Sequence, residues 1–110
     1  MQIILKDLPK ISLNEWYAGK HWTKRKQIKD TYKLIVKNQF KHVFSKDKCY
    51  AVIYAFNFRT RPLDASNCVA MVKLIEDIIF EDDNWKIVNQ ITIVSRKNRH
   101  EFVKITVEEI

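Results

Sequence analysis

A chain of 110 residues with 20 Lys/Arg against 13 Asp/Glu and a formal net charge of +7 is the length of one domain with room for a buried core. Its 46% hydrophobic and 12% aromatic residues and its single Gly exclude a disordered, collagenous or linker-rich chain. No run approaches the roughly 18 apolar residues of a membrane-spanning helix, and the opening residues lack the apolar stretch of a signal peptide, so the expectation is a cytoplasmic protein with no membrane partner.

In chain order, residues 2–5 are short and apolar and predict a strand, ended by Pro9. Residues 12–22 mix turn formers with Trp16, Tyr17 and Trp22, which predicts a structured loop or short helical turn. From Thr23, a candidate N-cap, Ile28, Tyr32, Ile35, Val36, Phe40 and Val43 recur at helical spacing and predict an amphipathic helix over 23–43. Its other side carries Lys29, Lys33, Lys37 and Lys41 at intervals of four, a stripe that suits either a solvated face or contact with a polyanion. Residues 49–59 predict a strand that is largely apolar on both faces and therefore lies inside a sheet. Residues 65–80 predict a second helix packing through Val69, Val72, Ile75 and Ile79. Residues 86–96 predict a strand, 97–100 a polar hairpin connection, and 102–107 a last strand with Val103, Ile105 and Val107 on one face. The expected fold is a single-domain α+β arrangement in the order β-α-β-α-β-β, with both helices packed on a small mixed sheet.

Charge is divided unevenly along this chain. Residues 1–63 carry a net +10 and residues 64–110 a net −3, and six of the thirteen carboxylates (Asp64, Glu76, Asp77, Glu81, Asp82 and Asp83) fall within 64–83. A lopsided basic excess favours a phosphate-rich partner, and an acidic segment inside it suits a divalent cation held where a polyanion is drawn in. At 100° per residue, Ser66, Ala70, Lys73 and Asp77 fall on one stripe of the second helix. Lys73 and Asp77 read either as an i,i+4 pair pointing to water or as part of a site. Asp64 reads either as a helix N-cap or as a ligand, and the Asp82-Asp83-Asn84 run either as a polar turn or as a pair of ligands. Separated Asp residues converging on a phosphate track are what Mg²⁺-assisted phosphodiester hydrolysis requires, with Lys73 stabilising charge on the reacting phosphate. If the helix is continuous, Asp64 and Asp77 lie roughly 20 Å apart, so Asp82 and Asp83 must return alongside the helix, or the site must be completed across a dimer interface.

Arg59 and Arg61 beside Asp64, and Lys24, Arg25 and Lys26 at the start of the first helix, are the candidate phosphate contacts. His21, His42 and His100 are scattered and read as structural or surface residues. Trp16, Trp22 and Trp85 suit core or dimer packing better than base stacking. Cys49 and Cys68 lack metal-ligand spacing and read as buried thiols.

The pattern Asp64-x-Ser66-Asn67-x5-Lys73-x3-Asp77, followed by Asp82-Asp83-Asn84, resembles the active-site region of RusA-type Holliday-junction resolvases, in particular the RusA-like proteins of phages and prophages. The run His21-Trp22-x2-Arg25 before a basic helix is similar to the N-terminal part of those proteins. The resemblance implies a small α+β homodimer that binds branched DNA and cuts phosphodiester bonds with Mg²⁺, or with Mn²⁺ in its place. It carries metal ligation onto Asp64, Asp82 and Asp83 and the essential lysine onto Lys73, with Ser66, Asn67 and Asp77 in support. Ser66 stands where better-known members have Asp, and Lys73 follows Asn67 by six residues rather than three. That departure motivates the alternative of a non-catalytic DNA-binding protein on the same scaffold, and a third reading is a protein-interaction module with an acidic patch.

Overall fold

The computed structural model describes residues 1–18 and 22–110, so His21 lies outside the described residues. The order is β1 (Gln2–Leu5), α1 (Leu13–Tyr17), α2 (Trp22–Gln39), β2 (Tyr50–Phe58), a three-ten turn (Ala65–Cys68) running into α3 (Val69–Ile79), β3 (Val88–Lys97) and β4 (Phe102–Glu109). The four strands form one mixed sheet in the order β1-β4-β2-β3. The α+β class and the mixed sheet agree with the sequence reading. Among the described residues no helix is long and apolar enough to cross a membrane.

β2 is the central strand, as its two apolar faces predict. It pairs parallel with β3 and antiparallel with β4, and β4 in turn pairs antiparallel with β1. The expected hairpin between the last two strands is therefore absent: β4 crosses to the far edge of β2. Both edges of a central strand need hydrogen-bond partners, and the alternating Val103, Ile105 and Val107 bury on the helix side there. The crossing is pinned at the end of β2, where Asn98 N donates to the Phe58 carbonyl at 2.8 Å and Asn98 Nδ2 donates to Asn57 Oδ1 at 3.1 Å.

Tyr50, Val52, Tyr54, Phe56 and Phe58 of β2 point to the face covered by the helices and are buried there. Across β2 the other face, with Ala51, Ile53 and Ala55, is more open, and Ile53 is 40% exposed. The apolar pattern thus located β2 within the sheet but not the number of layers: alanines alternating with one isoleucine leave that side thinly apolar.

The first long helix is shorter than its periodicity implied. It ends at Gln39, whose side-chain amide exchanges hydrogen bonds with the Lys6 backbone (2.8 and 2.7 Å). Beyond it the chain makes an isolated bridge from Phe44 to Phe80 at the end of α3, with Phe44 N donating to the Ile79 carbonyl and Glu81 N to the Phe44 carbonyl. Val43, counted in the helical repeat, belongs to this bridging segment, where Phe40, Phe44, Tyr50 and Phe80 pack ring on ring. Thr23 is not an N-cap, since α2 already includes Trp22. The capping box belongs to α1, where Ser12 Oγ accepts from Glu15 N and Glu15 Oε1 accepts from Ser12 N.

α2 is attached to the preceding loop by Tyr32, fully buried, which donates its hydroxyl proton to the Pro9 carbonyl. Burial raises the Tyr32 hydroxyl well above its ordinary pKa. Tyr32→Phe keeps the ring and removes one buried hydrogen bond, so a loss of about 1 kcal/mol is expected in urea unfolding. An unchanged midpoint and slope would show that this anchor is idle.

Candidate functional site

α3 is apolar on the side facing the sheet, with Met71, Val72, Leu74, Ile75 and Ile79 buried. Within that buried side sits a carboxylate, Glu76, only 2% exposed, whose Oε1 accepts the Tyr54 hydroxyl proton at 3.2 Å. Burial pushes the Glu76 carboxyl up from 4.5 to about 7, and the nearby Asp83 carboxylate adds to the effect. Tyr54 is itself driven well above its ordinary range by burial and by Glu76.

The chain leaves α3 at Phe80 and returns alongside it. Lys73 Nζ, at mid-helix, donates to Asp83 Oδ2 at 3.0 Å, ten residues later in sequence. This hydrogen bond is the largest cause raising the Lys73 pKa. The Lys73 partner is therefore Asp83, not Asp77 at i+4. Asp77 is exposed on the next turn, and its carboxyl is raised first by desolvation and then by Asp83, opposed by Lys73 and Lys29. Lys73, Glu76, Asp77 and Asp83 thus form one electrostatic group, three carboxylates sharing one ion-paired lysine.

The other predicted residues divide clearly. Asp82 closes its own turn, accepting from Asn84 N at 3.3 Å and Asn84 Nδ2 at 3.1 Å, which matches the polar-turn alternative. Glu81 accepts from Lys46 N at 2.9 Å and braces the loop before β2. Asp64 precedes the three-ten turn and makes no side-chain cap bond there; its carbonyl accepts from Asn67 N. Nine residues separate Asp64 from Lys73, roughly 14 Å of helical rise, and no interaction joins its carboxylate to the Lys73–Asp83 group among the described residues. Ser66 lies in the three-ten turn, where a 100° projection no longer applies, and Ala70 is buried, so the projected stripe reduces to Lys73 and Asp77.

Glu76 is the residue that sequence reasoning missed. Its signal was present: it lies four residues after Val72 and three before Ile79, on the apolar repeat, where a carboxylate is out of place unless it is partnered.

The basic elements frame this group. Lys29, Lys33 and Lys37 of α2 line a depression of about 220 Å³ whose opposite wall is Leu74, Asp77 and Ile78 of α3. Lys26 is paired with Asp30 at 3.0 Å, leaving the neighbouring Lys24 exposed without an ion pair among the described residues. Arg25 lies over the Trp16 and Tyr17 rings at 5.6 and 5.9 Å. Arg59 and Arg61 are exposed on the loop before Asp64. Lys10 Nζ donates to the Thr60 and Arg61 carbonyls in that loop, and Arg61 adopts a φ of 46°. Trp22 and Trp85 are exposed rather than in the core, with Lys86 over the Trp85 ring at 5.6 Å. Cys68 is buried and Cys49 partly so, both free.

A divalent cation fits this arrangement in one respect: Glu76 and Asp83 are carboxylates close enough to raise the proton affinity of Glu76, and positive charge between them relieves that cost. Mg²⁺ takes one or two carboxylates and completes its shell with water and phosphate oxygens. Among the described residues no group of three or more His, Cys, Asp or Glu is arranged to hold a metal ion. The chain matches no known family model and no curated protein.

Proposed function

We propose that this protein is a Mg²⁺-dependent endonuclease acting on branched DNA such as Holliday junctions, as a homodimer in the cytoplasm. The observation that carries the reading is Asp83, folded back onto Lys73 beside the buried Glu76 carboxyl, with Asp77 of the same group across a depression from Lys29, Lys33 and Lys37 of α2. Asp83 and Glu76 are the residues that would hold the cation, which when bound supplies a Lewis acid for the phosphoryl oxygen and an activated water. Lys73 would stabilise negative charge developing on the phosphate. Lys29, Lys33 and Lys37, with Arg59 and Arg61, position the strands through their phosphates. The homodimer and the preference for junctions rest on the resemblance of residues 61–84 to RusA-type resolvases. The test is incubation of the purified protein with labelled four-way junctions and Mg²⁺ or Mn²⁺. Cleavage abolished in Asp83→Asn is expected, and absence of product from the wild type overturns the proposal.

A second reading, a non-catalytic DNA-binding protein, is favoured by the separation of Asp64 from Asp83 and predicts junction binding without product. Both readings share one expectation. Lys33 and Lys37 make no ion pair among the described residues. Each changed to Ala lowers the slope of log affinity against log salt by about 0.9, as one released counterion requires on duplex DNA. A slope unchanged in both variants would place the phosphate track elsewhere.

A further inference from the structure

Adjoining the Lys73–Asp83 group lies a second feature, whose aromatic wall phosphodiester chemistry does not use. α1, α2 and α3 line an open cavity of about 180 Å³ with Trp16 and Tyr17 on one wall, Leu74 on the opposing helix, and Lys29, Lys73 and Asp77 also lining it. This is smaller than the roughly 300 Å³ lower bound of drug-sized pockets, and suits one planar ring system rather than a peptide or extended ligand. Arg25 lies over both aromatic rings, and its Nε is buried without a hydrogen-bond partner among the described residues. The rings are thus braced by a guanidinium whose Nε has no acceptor among the described residues.

Aromatic and apolar surface next to the Lys29 ammonium is the chemistry that takes a base by its ring and its phosphate by charge. Asp77 adds an acceptor for a ring or exocyclic N–H, the complement that a base edge offers and that a simple hydrocarbon lacks. A base within a duplex is stacked and cannot enter; an unpaired one at a branch costs least to extrude. The geometry points to this cavity as a subsite for a single unstacked DNA base, held between the Trp16–Tyr17 wall and α3, with its flanking phosphate on Lys29. The assignment rests on the DNA-binding part of the function proposed above and not on cleavage.

The test is binding without metal, in EDTA and low salt, of a labelled four-way junction carrying one unpaired nucleotide at the branch, compared with the same junction made abasic at that nucleotide. The wild type is expected to bind the base-bearing junction about tenfold more tightly. Tyr17, 68% exposed, is replaceable without disturbing the core. Tyr17→Ala is expected to bind both junctions at the abasic level. As a second readout, Trp22 and Trp85 are changed to Phe, leaving Trp16 as the reporter; its fluorescence is quenched by the base-bearing junction and not by the abasic one. Equal wild-type affinity for the two junctions, or an equal loss for both in Tyr17→Ala, overturns the subsite while the DNA-binding reading stands. No wild-type binding to either junction removes the DNA reading and the subsite together. Discrimination between the junctions without any Mg²⁺-dependent product supports the subsite and removes only the nuclease activity.

Discussion

Asp83→Asn is expected to lower the rate of Mg²⁺-dependent junction cleavage by about 10²-fold or more while leaving junction affinity equal or slightly higher. The substitution is isosteric, and Asp83 is partly exposed at the surface, so the fold is unaffected to first order. What it removes is one of two carboxylates that would hold the cation, and the ion partner of Lys73. A Lewis-acid contribution of several kcal/mol corresponds to at least two decades in rate. Affinity moves the other way because one negative charge leaves a phosphate-facing surface and Lys73 gains freedom to contact the backbone. The measurement is single-turnover cleavage beside anisotropy binding. A parallel fall in both would mark Asp83 as a folding residue, and undiminished cleavage would exclude it from the chemistry.

The second large effect is on stability. Glu76 has a carboxyl raised from 4.5 to about 7, chiefly by burial, while the unfolded chain titrates near the ordinary value. Between those two pH values the folded protein holds a proton that the unfolded chain has released, so stability is present in full below about 4.5 and falls as pH rises through about 7. At about 1.4 kcal/mol per unit of pKa difference, the loss is about 3 kcal/mol. Asp77, raised in the same direction, adds to the same trend. Glu76→Gln keeps the acceptor for the Tyr54 hydroxyl and removes the ionisation. Urea unfolding in EDTA from pH 4.5 to 8 is expected to show a steep fall in wild-type stability and a much flatter profile in the variant. Parallel profiles would mean that Glu76 is not the group responsible.

The readings that failed share a cause. Helical spacing carried the first long helix through Val43, but periodicity records which residues are apolar and not what they pack on; the Phe44 to Phe80 bridge draws that segment away from the helix. The polar run after β3 looked like a hairpin because hairpins are the shortest way to join two strands. The open edge of β2, distant in sequence, decided otherwise. Glu76 was passed over because a carboxylate on an apolar repeat means nothing until Tyr54, twenty-two residues earlier, is placed against it.

The sequence by itself determined the order of the strands and of the two longer helices, the central place of β2, the lysine stripe of α2 and the presence of Lys73 and Asp83 within one acidic segment, because these follow from local periodicity and from charge counted along the chain. Only the tertiary structure decided which carboxylates lie together. Asp82, exposed, accepts from Asn84 in its own turn, Asp64 stayed at the far end of the helical run, and Asp83 came back to Lys73 and Glu76. Sequence spacing bounds how far apart two side chains lie along a helix. Whether a returning loop brings a third beside them depends on packing across the sheet, which spacing does not encode.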